Sequence, residues 1–136
     1  MGLIRLTRDA NNDLHFVDPT NSTDVLALRQ STGDIYVPQG MALGRTPKTA
    51  TYTVLTTDRR ICFTALAAAA TVTLPTASTM SGKQITVKDE SGNAATNHIT
   101  VQVASSGTID GAATNVISTA YGVGRYYSNG SAWFTE

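Results

Sequence analysis

Two runs of alternating apolar and polar residues, 83–89 and 98–103, constrain this chain more than any other stretch. They read KQITVKD and HITVQV and are joined by the small, polar segment ESGNAATN. Successive side chains of a strand point to opposite faces. Ile85 and Val87 therefore share one face of the first run, and Ile99, Val101 and Val103 share one face of the second. Thr86, Lys88, Thr100 and Gln102 take the opposite faces. The pattern predicts a β-hairpin over residues 83–103. A fully buried Val or Ile contributes roughly 1.5–3 kcal/mol. Five of them anchor a small core, although chain entropy offsets much of that gain.

The rest of the chain is punctuated in the same manner. Residues 2–8 alternate weakly as a strand, and 9–13 (DANND) form a turn cluster. Residues 14–18 are short and apolar and stop at Pro19, with a turn over 19–23. Residues 24–30 suit a strand or a helical turn. A turn at 31–34 leads into the short strand 35–37, which breaks at Pro38, Gln39 and Gly40. A short extended piece follows before Pro47. This first third reads as an arm or a shallow sheet that completes its burial against another chain, or as an ordinary N-terminal meander. From residue 50 the alternation is firmer. Strands are expected at 51–56, 60–65 and 71–74, with Leu66 and the alanines after it able to nucleate a helix too short to stand alone. Residues 76–82 suit a loop or one helical turn. Further strands are expected at 108–110, 115–118, 120–128 and 131–135, the last two joined by the tight-turn pair Asn129-Gly130. Gly122 and Gly124 mark a bulge or a close backbone approach. Strands recurring every 8–12 residues imply an all-β chain: a small antiparallel β-sandwich or barrel over residues 49–136, with an extended N-terminal arm over 1–48.

Composition narrows the function classes. The 136 residues suit one domain with an arm. Net charge is +0 and 15% of residues are charged, so no basic excess draws nucleic acid and no repulsion separates copies. Hydrophobic content is 41%, but much of it is alanine. A thin monomer core follows, and with it a tendency to oligomerise. Cys62 is the one cysteine and reads as a small buried apolar residue, with no intrachain disulfide. The N-terminus lacks the apolar stretch of a signal peptide, and no run approaches the ~20 apolar residues of a membrane span.

Motifs for chemistry are weak. His15 and His98 have no recurring ligand spacing around them, so neither a zinc site nor any other metal or cofactor is expected. No serine sits in a nucleophile elbow, and Cys62 has no histidine at a catalytic spacing. Gly122-Val123-Gly124 lies in a strand and is no phosphate loop. Asp89 and Glu90 precede a glycine loop but lack the periodicity of a calcium loop, and read as a solvated turn. Asp58, Arg59 and Arg60 read likewise. The aromatic residues cluster near the C-terminus. Tyr126 and Tyr127 face opposite ways on a strand, as do Trp133 and Phe134, so at most half of them reach solvent together. They are read as core and subunit interface, with a glycan platform of Tyr126, Tyr127 and Trp133 as the alternative.

One ordered set of motifs carries a resemblance. It runs from Ala69-Ala70-Thr71-Val72-Thr73-Leu74-Pro75 to Gly82-Lys83-Gln84-Ile85-Thr86-Val87-Lys88-Asp89 and Ser91-Gly92-Asn93-Ala94. Asn97-His98-Ile99-Thr100-Val101, Gly107-Thr108-Ile109-Asp110-Gly111 and Ser128-Asn129-Gly130-Ser131-Ala132-Trp133 complete it. Over residues 50–136 this resembles a recurring β-domain of tailed-bacteriophage virion proteins, found in fibre and capsid-appendage chains. The segments Leu26-Ala27-Leu28-Arg29-Gln30, Gly33-Asp34-Ile35-Tyr36-Val37 and Ala42-Leu43-Gly44-Arg45-Thr46-Pro47 resemble the strand-and-glycine repeats of trimeric phage fibres. They occur once, and Pro38-Gln39-Gly40-Met41 departs from the tight glycine spacing, which argues against a long shaft.

The resemblance implies a non-enzymatic virion component that forms a homotrimer. The chain length and the arm favour a decoration, or cement, protein clamping the outside of a capsid through the major capsid protein, without nucleic acid or membrane partners. On that reading the interface candidates are Arg5, Arg29, Tyr36, Arg45, Arg59 and Arg60, since arginine is favoured at interfaces. The alternative is a short head or tail fibre, or a baseplate module, that binds host-surface glycan.

Overall fold

The structure, a computed structural model, describes residues 5–18, 23–29, 35–37 and 42–136. The expected turns at 19–22 and 31–34, the break at 38–41, residues 2–4 of the first expected strand and the Tyr36 side chain lie outside the described residues. The chain divides into two compact units, Met1–Ala42 and Leu43–Glu136.

The first unit is an antiparallel meander of four strands: β1 (Arg5–Arg8), β2 (Leu14–Asp18), β3 (Thr23–Leu28) and β4 (Ile35–Tyr36), in that spatial order. The segment expected as an extended arm over 1–48 is thus a meander, and residues 43–48 belong to the second unit. A bulge between Phe16 and Val17 shifts the β2–β3 register.

The second unit has β5 (Arg45–Lys48), β6 (Tyr52–Thr53), β7 (Arg60–Phe63), β8 (Ala70–Leu74), β9 (Gln84–Asp89), β10 (Ile99–Val103), β11 (Thr114–Ile117), β12 (Val123–Ser128) and β13 (Trp133–Thr135). They form a five-stranded sheet ordered β13-β12-β9-β7-β5 and a four-stranded sheet ordered β11-β10-β8-β6. The expected all-β class holds. The expectation of antiparallel sheets needs correction. From β5 to β10 the chain alternates between the two sheets, so each strand lies parallel to the one two places earlier. The middle of the unit is thus a short winding of three turns, β5-β6, β7-β8 and β9-β10. Antiparallel β11, β12 and β13 complete its sheets.

This winding also corrects the expected hairpin over 83–103. β9 and β10 both exist, but they lie in different sheets and do not pair. Alternation specifies which side chains face the core. It does not specify whether two consecutive strands lie side by side or face each other across the core. The connection of nine residues, 90–98, is longer than the two to five typical of hairpin loops. Ile85 and Val87 are fully buried on one sheet. Ile99, Val101 and Val103 are buried on the other. The five apolar residues form the two halves of one core.

That core is continuous across the winding. Ile61 stacks in register on Val87, and Tyr52, Val72 and Val101 stack likewise in the other sheet. Trp133, Tyr126, Phe63, Leu66 and Met80 fill the remaining space. Two further expectations change. Leu66 is buried but the alanines after it form no helix, because β8 begins at Ala70. Pro47 lies inside β5 instead of closing a segment. β5 is an edge strand, where a missing ladder donor is tolerated.

Candidate interaction face

The outer face of the five-stranded sheet carries four cationic side chains, Arg45, Arg60, Lys88 and Arg125. In β7, Ile61 and Phe63 enter the core, so Arg60 and Cys62 point outward. Partners directly opposite on neighbouring strands share a face. Arg45, Arg60, Thr86 and Arg125 therefore form one row across β5, β7, β9 and β12. The next row is Pro47, Cys62, Lys88 and Val123. On the other side of the arginine row lie Gln84, Tyr127 and Phe134.

Most of these side chains are engaged. The Arg45 guanidinium donates to both carboxylate oxygens of Glu90, through Nε to Oε1 at 3.1 Å and through a second nitrogen to Oε2. Lys88 donates to the carbonyl of Tyr121. Gln84 donates to the Glu136 carboxylate at 2.8 and 2.9 Å. Arg59 is half-buried and donates to the carbonyl of Asp58 at 3.0 Å. Arg60 and Arg125 are exposed, and neither pairs with a carboxylate among the described residues. They flank Thr86 and stand two strand spacings apart, roughly 10 Å. Beside them the Tyr127 and Phe134 rings stack at 5.4 Å.

Of the expected interface residues, Arg5 and Arg29 are exposed in the first unit and Tyr36 lies in β4. Arg45, Arg59 and Arg60 fall in the second unit, where Arg60 alone of the three is left to meet a partner. Arg125 was not among the candidates. Its outward position follows from alternation with Tyr126, but its place in the Arg60 row depends on β9 lying between β7 and β12, which is a tertiary fact. The glycan platform loses two of its three rings. Tyr126 and Trp133 are fully buried, and Tyr127 alone reaches solvent. Trp133 donates to the carbonyl of Pro75 at 2.8 Å, and the Tyr126 hydroxyl donates to Asn115 at 2.9 Å.

Two buried carboxylates shape the loops that carry this face. At Asp89 the structure corrects the expectation of a solvated turn. Its side chain is buried and accepts five hydrogen bonds: from the Ser91 amide and hydroxyl, and from the amides of Gly92, Ala94 and Tyr121. Burial pushes its pKa up, but the bonds from Ser91, Ala94 and Tyr121 outweigh it and leave the group below the ordinary carboxylate value. Asp58, read as a solvated turn residue, is likewise buried. It accepts from Thr46 at 2.7 Å, Tyr52 at 2.9 Å and the Leu55 amide at 2.8 Å, and so ties β5, β6 and the following turn together. Its pKa is also lowered, with burial overcome by these three bonds.

The first unit brings together a group that the sequence spacing did not reveal. Ligand atoms of Asp9, Asp13 and His15 lie within 4.8 Å of one another. Two carboxylates and an imidazole are a donor set that divalent ions accept. Asp9 already has a structural task, since its Oδ1 accepts from the amides of Asn11 and Asp13 and closes the β1–β2 turn. A shallow cavity of about 210 Å³ lies beside Trp133, lined by Ala77, Val103, Gly107, Thr108 and Ala132 among others, with no ionisable side chain in its walls. No protein-family model matches the chain, and no curated protein matches it.

Proposed function

We propose that this chain is a non-enzymatic structural protein of a tailed-phage virion: a decoration protein that binds the outer surface of the capsid as an oligomer, a homotrimer, and stabilises it. The observation that carries this reading is the pair Arg60 and Arg125, held without carboxylate partners among the described residues on one sheet face beside the Tyr127–Phe134 stack. Arginine and aromatic side chains are enriched at protein interfaces, and a planar guanidinium matches a carboxylate in bidentate fashion. The partner is the major capsid protein, met through acidic groups on its outer surface. The motif order over residues 50–136 supports the same assignment.

The test is cosedimentation of the full chain with purified expanded capsids, and thermal stability of the decorated shells. The wild type should bind and raise the melting temperature of the shells. R60E/R125E should bind at least about tenfold more weakly, with a steep salt dependence in the wild type. Absence of wild-type binding, or equal binding by the double variant, would overturn the assignment. A glycan-binding module remains the competing class, now resting on Tyr127. Specific sugar binding abolished by Tyr127→Ala would support it.

A further inference from the structure

Among the described residues, one face of the first unit's sheet is mostly apolar and includes exposed leucine and isoleucine side chains. Cross-strand register places Leu6, Phe16 and Leu26 in one row and Leu14, Leu28 and Ile35 in the next. All six lie on the same side of the meander. Leu6 is 59%, Leu28 39% and Ile35 70% exposed, while Leu14, Phe16 and Leu26 are half-buried. The opposite side carries Val17 at 6% and Ala27 at 0%. That side also carries Arg5, Thr7 and His15, so among the described residues the large aliphatic side chains gather on one side of the meander and, Arg8 apart, the polar ones on the other.

We propose that this face seats against the same face of another copy of the chain. Such a same-face contact is two-fold and closes at two copies, so it names one surface of self-association and rests on the oligomeric part of the proposed function, a trimer needing a second, heterologous contact. Six side chains at these exposures leave an apolar patch on the order of 400 Å², within the range of the largest, often functional, patch of a monomer. Two such patches hide roughly 800 Å², below the ~1,200 Å² of a standard specific interface, which suits a weak contact. Charge permits identical copies to meet. The net charge of the chain is +0. The one charged residue in these rows, Arg8, is turned to the β1–β2 turn, where it donates to the Asn12 carbonyl and side chain at 2.9 and 3.1 Å. An acidic capsid surface would find no cation in the middle of this face and two on the β12–β7 row. Apolar rows instead suit apolar rows, packed face to face as sheets pack in a sandwich.

The experiment is the solution mass of the full chain by sedimentation equilibrium, wild type against L6D/I35D. These two positions are the most exposed of the six, so the change adds charge where burial within the chain is least. The wild type should be an oligomer, and the variant should dissociate with a Kd raised roughly hundredfold. A second arm uses I35C with a short thiol cross-linker, Cys62 being fully buried. I35C should give covalent dimers, and a cysteine at the exposed Ser118 should not. A monomeric wild type, an unchanged mass for L6D/I35D, or equal cross-linking at both positions would overturn the proposal. Capsid cosedimentation is read separately through R60E/R125E, so either reading can fail while the other stands.

Discussion

Arg45 reaches from β5 over β7 to Glu90 beyond the end of β9, and the ion pair closes above Cys62. Cys62 points away from the core, on the opposite face to Ile61 and Phe63, yet it is 0% exposed. The side chains on the outside of the sheet account for this. Glu90 and Arg45 act on the thiol as well as on each other. Burial raises the Cys62 pKa, and Glu90 raises it further. The thiol is a covered, protonated group, which is the opposite of a reactive cysteine.

Removing the cover should uncover the thiol. Native Cys62 is expected to react slowly with a chromogenic disulfide, at a rate set by local opening. Arg45→Ala should accelerate labelling by about tenfold or more, without a comparable fall in global stability, because the pair is largely exposed. An unchanged rate would mean that Pro47 and Lys88, not the ion pair, shield the sulfur.

Glu90 supplies an acid-dependent contribution. The Arg45 guanidinium, and after it the Cys62 thiol, draw the Glu90 pKa down to about 2 from an ordinary 4.5. A depressed pKa stabilises the fold above the unfolded-state value, and that contribution is lost as pH falls from about 4.5 towards 2. Asp58 and Asp89 are shifted in the same direction and act in the same sense. The urea midpoint should therefore fall as pH drops below 4.5. Glu90→Gln should flatten that fall while lowering the midpoint at neutral pH. A variant with the wild-type pH profile would refute the assignment.

Asp89 should be among the most sensitive positions in the chain. Alanine there leaves the amides of Ser91, Gly92, Ala94 and Tyr121 without their acceptor in a part-buried setting. Each such loss costs about 1–3 kcal/mol when water cannot replace the partner. Partial hydration of the loop gives an expected destabilisation of about 3 kcal/mol by chemical denaturation. Asparagine should recover only part of it, since its amide would face donors on one side. Near-wild-type stability for Asp89→Ala would show that the loop re-forms around water.

Gly124 lies directly beneath the Tyr126 ring. A Cβ there would meet the Tyr126 hydroxyl at 2.3 Å and its ring carbon Cζ at 2.7 Å. The ring cannot retreat without breaking the bond from its hydroxyl to Asn115, which links β12 to β11 in the other sheet. Gly124→Ala is expected to cost about 1–3 kcal/mol, as overpacked cores do. Tyr126→Phe should cost about 1 kcal/mol through the lost hydrogen bond. The pairing is tested by Gly124→Ala in the Tyr126→Leu background, where the penalty should shrink.

Trp133 is the single tryptophan of the chain and is fully buried. Its emission should be blue-shifted in the native state and move to the red on unfolding. Trp133→Ala should cost about 3–5 kcal/mol, as for other large buried aromatics. Its effect on any binding assay should therefore follow from unfolding. Tyr127→Ala, at the surface, should leave the melting temperature within a few degrees.

Much of the strand inventory was legible because it rests on local physics. Alternation at 84–89 and 99–103, the Asn129-Gly130 turn with Gly130 at a φ of +92°, and the opposed facings of Tyr126 and Tyr127 all follow from the period of two. The start of β12 at Val123 was not legible. Residues 119–122 turn instead, with Tyr121 at a φ of +57° and its amide held by Asp89. That contact joins residues 32 positions apart, so no local pattern records it.

The sequence by itself determined that the chain is built of short strands and which side chains of each strand are apolar, because both depend on neighbours one and two residues away. Tertiary structure alone decided which strands became neighbours. It sent β9 and β10 to opposite sheets, made β5, β7 and β9 parallel, and so set Arg60 and Arg125 in one row and roofed Cys62 with Arg45 and Glu90. The reason is that a strand's alternation is satisfied equally by a partner beside it or by a layer across from it. The choice is made by the whole core closing at once.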